Sequence, residues 1–361
     1  MNFISRILRK IKRSLQPTPL NYVIQDASWV ATLKCSLAHQ EHSYIALCHR
    51  DWKGVSSATL ELFNNVVYVG EVYDTLTINK VVDIISESNI AQVILSGFPL
   101  GWDRIIRLVK AKKSSITFKV VWHGSIAQHY EDYSTSVFLE ALQLSKTKAI
   151  ASIGFVKKST YEIYYELGYP CHFIRNRVLL NPLIKIKERS LINFENIKIG
   201  VFSVDVTLRK NTYTNIAAAC YIKKAQLTIC PSNSHLEKVI KHFNLDYHLV
   251  GQGLPRDELF RLIQQQDIIF YVTFSECAPM IPLEAMSLGV LCLMGSNNHY
   301  YEDYPILNKF LVVHEADNPK LIAQMALQAL QNRNLIMCEY AKFAEANAKL
   351  SIESVQNFLA I

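Results

Sequence analysis

Short apolar runs alternate with helix-like stretches along most of the chain, a pattern typical of strands separated by helices. In the first half the runs predict strands at NYVIQDA (21–27), SYIALC (43–48), NVVYVG (65–70), AQVILSG (91–97), FKVVWHG (118–124), AIASIG (149–154) and HFIRNRVLLN (172–181). Helices are predicted at 29–41, 77–89, 102–112 and 157–167, with a helical or irregular stretch at 130–145.

The second half repeats the alternation with more uniformly apolar strands, as buried parallel strands require. These strands are IKIGVFS (197–203), QLTICPS (226–232), YHLVG (247–251), DIIFYVTF (267–274), VLCLMG (290–295) and FLVVHEA (310–316). The helices between and after them are predicted at 212–224, 235–242, 255–265, 279–288 and 318–331, and the last 25 or so residues also have helical periodicity.

Strands separated by helices favour parallel βαβ units, so the predicted fold class is α/β. A chain of 361 residues, half of them apolar, can bury two cores. We predict an N-terminal helix (1–16), a first doubly wound domain (17–181), a linker (182–196), a second doubly wound domain (197–335) and a C-terminal helix (336–361). Ligands of such sheets bind beyond the carboxyl ends of the strands, which makes the residues after each strand the candidates for a site.

The formal net charge of +7 suits an anionic partner without choosing among several kinds. No nucleic-acid recognition motif accompanies this charge, so we expect no nucleic-acid partner. The eight cysteines show neither a CxxC pair nor metal-ligand spacing, which predicts reduced thiols in a cytoplasmic protein and no metal site. The sequence has no secretory signal and no apolar run of about 20 residues, so we expect neither export nor a transmembrane helix.

Residues 1–15, MNFISRILRKIKRSL, place apolar side chains at helical spacing with five basic residues between them. A basic amphipathic helix of this kind can lie in the interface of an anionic membrane. This interpretation predicts peripheral attachment to the inner face of the plasma membrane. The alternatives are a surface helix packed on its own domain and a frayed tail.

The segment TFSECAPMIPLEAMSLGV (273–290) joins a predicted strand to a predicted helix that opens near Pro279 and ends before Gly289. The backbone amides of the opening turn attract phosphate; they belong to Cys277, Ala278, Met280 and Ile281. The carboxylates of Glu276 and Glu284 can flank one ligand there. The alternative is that both glutamates only favour a helix N-terminus electrostatically.

A second candidate follows the strand IKIGVFS, where Arg209 and Lys210 precede a helix. Two cations there can neutralise a diphosphate, Arg209 as a bidentate fork and Lys210 as a point charge. The alternative is a solvated charge pair.

The stretch SECAPMIPLEAMSLG resembles the two-glutamate signature of retaining glycosyltransferases with the GT-B fold, particularly family 4, and the likeness extends over residues 197–331. The resemblance implies two facing Rossmann-like domains with parallel sheets and an inter-domain cleft. It also implies an acceptor-binding first domain, a nucleotide-sugar-binding second domain, a C-terminal helix that crosses back, and no metal ion or other cofactor. Glu284 would bind the ribose, Glu276 would lie near the sugar, and Arg209 with Lys210 would hold the diphosphate.

His123, directly after a first-domain strand, resembles the cleft-facing histidine of that family, although a lone histidine at a strand end is more often structural. His299 is a weaker candidate. Two departures stand out. The family's Gly-rich loop is replaced by IQDASWV, which leaves Asp26 and Ser28 without a role, and Cys277 stands where glycine is usual.

These features predict a retaining glycosyltransferase that uses a UDP- or GDP-sugar. Its expected acceptor is a saccharide or lipid-linked saccharide, in bacterial surface polysaccharide or lipopolysaccharide synthesis for the cell envelope. Two alternatives stay open. One is a catalytically silent partner of a glycan-assembly complex, and the other is a nucleotide-sugar epimerase.

Overall fold

The structure is a computed structural model that describes residues 28–38, 43–179, 192–251 and 253–360. The predicted amphipathic helix 1–16, the predicted strand 21–27 and Asp26 lie outside the described residues, as do linker positions 182–191. Ser28 is the first residue of a helix.

The first domain contains one parallel sheet of six strands in the order β2-β1-β3-β4-β5-β6. Its strands are β1 Tyr44–His49, β2 Val66–Val69, β3 Gln92–Ser96, β4 Thr117–Trp122, β5 Ser152–Phe155 and β6 Cys171–Phe173. Its helices are α1 Ser28–Ala38, α2 Lys53–Leu62, α3 Thr75–Glu87, α4 Trp102–Lys112, α5 Asp132–Lys146 and α6 Lys158–Glu166, with a 3-10 turn at Ile126–Tyr130.

The second domain contains another parallel sheet of six strands, in the order β12-β11-β10-β7-β8-β9. Its strands are β7 Lys198–Phe202, β8 Gln226–Cys230, β9 Asp246–Leu249, β10 Ile268–Tyr271, β11 Leu291–Gly295 and β12 Val312–Val313. Its helices are α7 Thr212–Ala219, α8 Ser234–Ile240, α9 Arg256–Gln264, α10 Met280–Ser287, α11 Pro305–Leu311 and α12 Pro319–Gln331, and 3-10 turns lie at Leu208–Lys210 and Lys241–Phe243.

Both sheets lie inside their domains, because helices cover both faces of a parallel sheet. Every residue of β3 and of β11 is buried, which explains why these strands are almost wholly apolar. In the second domain, β10 pairs with β7 on one side and β11 on the other. This order brings the loops after β7 and β10 together, and those loops carry the candidate residues.

The predicted α/β class with two parallel sheets is confirmed. The helices α2 and α11 were not predicted, and α11 shortens the predicted strand 310–316 to two residues. Pro305 at the start of α11 supplies a preset backbone angle, and Leu307 and Leu311 are fully buried one turn apart. The burial of these two leucines on one face of a helix therefore outweighs the β propensity of the run 310–316, which predicted a longer strand.

The last helix, α13, runs from Arg333 to Leu359 and ends against the first domain. The ammonium of Lys119, on β4, donates to the carbonyl of Phe358 at 2.6 Å and to that of Ala360 at 3.1 Å. Gln92 on β3 donates from Nε2 to the carbonyl of Leu359 at 3.0 Å. These bonds satisfy carbonyls that a helix C-terminus leaves without intrahelical partners.

Candidate active site

The carboxyl edges of the two sheets face each other and are joined by polar contacts. Ser125 Oγ, after β4, lies 3.0 Å from Ser275 Oγ, after β10. Lys157, after β5, donates from Nζ to the carbonyls of Glu276 at 2.7 Å and Asn297 at 2.9 Å. Together these contacts define a cleft whose walls come from both domains.

Glu276 lies at the centre of this cleft, in the loop between β10 and α10, and is 6% exposed. Its Oε1 accepts from the ammonium of Lys210 and, at 2.9 Å, from the hydroxyl of Tyr271. Lys210 is as deeply buried, and its Nζ also lies 3.3 Å from the Tyr271 hydroxyl. Burial and the neighbouring Glu276 carboxylate raise the pKa of Tyr271 well above its usual value, so its hydroxyl remains a donor.

Arg209 extends the basic group toward the first domain. Its guanidinium lies 4.0 Å from Glu276 Oε1, 3.4 Å from Asp205 Oδ2 and 3.8 Å from Glu131 Oε1. Glu131 belongs to the first domain, at the end of the 3-10 turn that follows β4. Arg209 is therefore a cation shared by carboxylates of both domains.

Glu284, on α10, is 2% exposed and forms a separate ion pair. Its Oε1 accepts from Arg256 Nε at 3.1 Å, and Arg256 Nη2 lies 2.7 Å from Glu61 Oε1 of the first domain. Burial raises the pKa of Glu284, with the nearby Arg256 acting in the opposite direction. The two glutamates of the signature thus bind different cations, Lys210 with Arg209 for one and Arg256 for the other.

No family model and no curated protein matches this sequence. Solved structures match most of the chain. HepE from Anabaena, in complex with UDP-glucose, superposes with a TM-score of 0.61 at 10% identity, covering 88% of this chain and 99% of that one. Sucrose-phosphate synthase from Thermosynechococcus elongatus gives a TM-score of 0.57 at 13% identity and covers 88% and 94%. The lipopolysaccharide outer core galactosyltransferase WaaB gives 0.56 at 12% identity and covers 88% and 100%.

The chain has the GT-B fold. The resemblance stated from the sequence is confirmed at this level, including the two Rossmann-like domains. Identities this low support the shared fold and leave the activity to be argued from the residues.

His123 follows β4 in this GT-B structure and faces the turn that leads into α10. Its Nε2 lies 2.9 Å from Ser96 Oγ, which also accepts from Thr59 Oγ1 at 2.6 Å. Its carbonyl accepts from the thiol of Cys277. Burial lowers the pKa of His123 to about 4, so the imidazole is neutral at pH 7.

The turn before α10 begins where the sequence predicts it. Pro279 caps the helix, Met280 is its first residue, and Gly289 adopts the left-handed conformation after its end. Asn176 of the first domain donates from Nδ2 to the carbonyl of Ala278 at 2.9 Å. Ile281 packs against the hydrophobic cluster that contains residues of both domains. The turn is thus held from both sides of the GT-B cleft.

His299 lies between aromatic rings. It is 6% exposed, and its ring packs edge-on against Phe173 at 4.8 Å and Tyr300 at 5.1 Å. Neither ring nitrogen has a hydrogen-bond partner among the residues that the structure describes. Burial lowers its pKa to about 3.

Five residues of the cleft were missed by the sequence analysis: Glu61, Lys157, Asn176, Arg256 and Tyr271. Lys157 carried a usable signal, because it follows the predicted strand 149–154 by three residues. Tyr271 lay inside the predicted strand 267–274, and only the observed end of β10 at Tyr271 places it at the sheet edge. Glu61 gave no such signal, since it lies on the unpredicted helix α2.

Within residues 28–38, 43–179, 192–251 and 253–360, no group of three or more His, Cys, Asp or Glu side chains is arranged to hold a metal ion. No helix in that part of the chain is long and apolar enough to cross a bilayer.

Proposed function

We propose that this protein transfers a sugar from a nucleoside diphosphate sugar to a hydroxyl group of a saccharide acceptor. One observation carries the proposal: Glu276 forms ion pairs with Lys210 and Arg209. These residues lie at the carboxyl edge of the second sheet, opposite His123. HepE, which superposes over most of this chain, is described in complex with UDP-glucose. We propose a UDP- or GDP-sugar as the donor, and the likeness to HepE favours UDP.

The main chemical task is to stabilise negative charge on the departing diphosphate. Arg209 and Lys210 supply two positive charges in a site largely shielded from water, where such interactions are strong. Glu276 fixes the Lys210 ammonium before the donor arrives, so little reorganisation is needed during the reaction. The amides at 277, 278, 280 and 281 add helix N-terminal donors on the same side.

We propose transfer with retention. The anomeric C–O bond to the diphosphate breaks, the acceptor oxygen forms the new bond on the same face, and the acceptor proton passes to the departing diphosphate. No protein base is then needed. The neutral imidazole of His123 is suited to hydrogen-bond the transferred sugar, because at pH 7 it carries no charge that would oppose an oxocarbenium-like transition state.

Glu284 is the proposed partner of the ribose diol. Its carboxylate currently accepts from Arg256, so a bound ribose would share or replace that contact. Arg256 retains Glu61 as a second partner in that event. The exchange is feasible because the guanidinium is not left without a counter-charge.

We extend the proposal to the acceptor and the location. A lipid-linked saccharide at the cytoplasmic face of a bacterial plasma membrane would suit the basic amphipathic sequence 1–15 and a role in surface polysaccharide synthesis. WaaB, which has the same fold, is named for lipopolysaccharide outer core synthesis. Deleting residues 1–15 should then reduce recovery of the protein with anionic vesicles, and unchanged recovery would remove this part of the proposal.

The test of the donor site is thermal stabilisation by UDP, GDP and ADP, each added at increasing concentration to wild type, Glu284→Ala and Glu140→Ala. Binding at 100 times Kd raises stability by about 2.7 kcal/mol. We expect one nucleotide to stabilise the wild type and the Glu140→Ala surface control, and Glu284→Ala to lose the effect. If the wild type responds to none of the three, the proposal fails.

One observation favours a catalytically silent partner as the second candidate. Glu276, Glu284 and Arg209 all have counter-charges within the protein already. Incubation with a donor sugar alone and then with an acceptor pool separates the candidates. An active transferase releases nucleoside diphosphate faster with acceptor, an epimerase converts the donor without it, and a silent partner binds the donor and does neither.

A further inference from the structure

The carboxyl edge of the first sheet carries an aromatic group that the donor chemistry does not use. His49 ends β1, and Trp52 follows it with their ring centroids 4.8 Å apart and their planes within 24°. The ring of Tyr133, on α5, meets Trp52 edge-on at 6.4 Å. These three rings, His49, Trp52 and Tyr133, are called the aromatic ledge.

A carboxylate lies beside the aromatic ledge. Glu71 follows β2, and its two oxygens are each contacted by a tyrosine, with the Tyr133 hydroxyl donating to Oε1 at 2.6 Å and the Tyr73 hydroxyl donating to Oε2. Burial and the adjacent carboxylate raise the pKa of Tyr73 to about 12, which keeps this hydroxyl a donor at neutral pH. Each carboxylate oxygen retains a further lone pair for another donor.

The aromatic ledge adjoins His123 through the end of β3. Gly97 is left-handed there, and a Cβ added to it would lie 2.5 Å from the Trp52 ring. The preceding residue, Ser96, contacts the His123 imidazole. On the other side, Tyr133 lies two residues beyond Glu131, which approaches Arg209. The ledge therefore borders the site where the sugar would be transferred.

We propose that the aromatic ledge and Glu71 bind a sugar ring of the acceptor. A pyranose has a face of C–H groups that packs on aromatic carbon and a rim of hydroxyls that donate to a carboxylate. Tyr73 and Tyr133, 48% and 41% exposed, lie open to such a ligand. This inference rests on the proposed function, because it assigns the second substrate of the same reaction.

A sugar fits this surface better than the acyl chain of a lipid. An apolar chain lying on the ledge would remove water from the Glu71 carboxylate without offering it a donor, which is costly. A sugar hydroxyl replaces the lost water with a charge-assisted hydrogen bond. In a lipid-linked acceptor, the saccharide rather than the lipid would therefore occupy the ledge.

The experiment is binding of the labelled full-length protein, in the presence of UDP, to a printed array of mono- and disaccharides, followed by titration of the strongest glycan. The variants are Glu71→Gln and Tyr133→Phe, and Tyr221→Phe is the control, a tyrosine of the second domain that is 56% exposed. We expect about a tenfold weaker glycan Kd in Glu71→Gln, which loses a charge-assisted bond to the sugar. Tyr133→Phe should also weaken the glycan Kd, because Glu71 loses the hydroxyl that positions it. The control should not change.

The same preparations are tested for thermal stabilisation by UDP. Retained stabilisation in Glu71→Gln and Tyr133→Phe shows that the donor site and the fold are intact, so a weaker glycan Kd then reports the ledge itself. Unchanged glycan Kd in both variants overturns the inference, as does a wild type that retains no glycan on the array. Glycan binding without thermal stabilisation by UDP would instead contradict the proposed function and would still support the ledge as a saccharide site.

Discussion

Arg256 Nη2 lies 2.7 Å from Glu61 Oε1, so a side chain of the second domain is paired with a carboxylate of the first across the cleft. Glu61 is 6% exposed and also accepts from the backbone N–H of Leu179 at 2.7 Å. Glu284, the proposed partner of the ribose, is bound to the same guanidinium. One arginine thus joins a carboxylate of the first domain to the proposed donor site.

Neutralising this cross-cleft pair should destabilise the protein. Glu61→Gln keeps an oxygen for the Leu179 amide but removes the charge opposite Arg256, and we expect the free energy of unfolding to fall by about 1–3 kcal/mol. Urea denaturation measures the change. Glu140→Gln is the matched control, because the Arg107–Glu140 pair is about half exposed and should contribute less than about 1 kcal/mol. Equal effects of the two changes would contradict this assignment.

The buried pair of Lys210 and Glu276 should show strong coupling. Their side chains are 5% and 7% exposed, so Lys210→Met or Glu276→Gln alone leaves a charge without its nearest partner and should cost about 3 kcal/mol. The double variant should cost less than the sum by about 0.5–3 kcal/mol. A double-mutant cycle on the free energy of unfolding measures this coupling.

The exposed pair Glu345 and Lys349 supplies the control cycle, with side chains 73% and 69% exposed. Its coupling should stay near about 0.5 kcal/mol or below. Additive effects of Lys210→Met and Glu276→Gln would show that the two groups are not a functional ion pair.

The buried histidine His299 should make stability sensitive to acid. Its pKa falls from 6.5 to about 3 on burial, so the unfolded chain binds the proton first as the pH drops. The stabilisation is therefore present above pH 6.5 and is lost as the pH falls toward 3. We expect His299→Leu to lose less unfolding free energy between pH 7 and pH 4.5 than the wild type.

Chemical denaturation at the two pH values measures this difference. His123 acts in the same direction, with a pKa of about 4, so the variant should keep part of the acid sensitivity. His235→Leu, on the surface of α8, controls for the loss of any histidine. If His299→Leu lost as much unfolding free energy between pH 7 and pH 4.5 as the wild type, His299 would not be a source of the acid sensitivity.

Two glycines with positive φ allow the cost of backbone strain to be measured apart from the cost of steric overlap. Gly101 and Gly168 have φ of +86° and +76°, but a Cβ at Gly101 would lie 1.9 Å from the carbonyl oxygen of Val72, whereas one at Gly168 meets nothing within 4 Å. Gly168→Ala should cost about 1 kcal/mol, and Gly101→Ala at least about 2 kcal/mol more. Urea denaturation of both variants measures the difference, and equal costs would show that the overlap is relieved.

The Gly101 variant also reports on the proposed acceptor site. Val72 donates its N–H to the carbonyl of Leu100 at 3.0 Å, which holds the segment that carries Glu71 and Tyr73. Displacing Val72 should therefore weaken glycan binding as well.

The strands and the position of the signature turn could be predicted from the sequence, because apolar runs and a proline before a helix act locally. The partner of Glu276 was partly predictable, since Lys210 also follows a strand, and only the pairing of β7 with β10 brings the two together. Glu61 could not be predicted. A glutamate on a helix is expected on the solvent side, and Glu61 is buried here with two distant partners, Arg256 from the other domain and the backbone N–H of Leu179.

The contact of Lys119 with the end of α13 can form only after nearly the whole chain has been synthesised. The carbonyls that it binds are 239 and 241 residues further along the chain. At about 5–20 residues per second, a ribosome takes on the order of 10–50 s to produce that stretch. Until α13 has been synthesised, the Lys119 ammonium lacks both carbonyl partners, so water must solvate it at the place where α13 later docks.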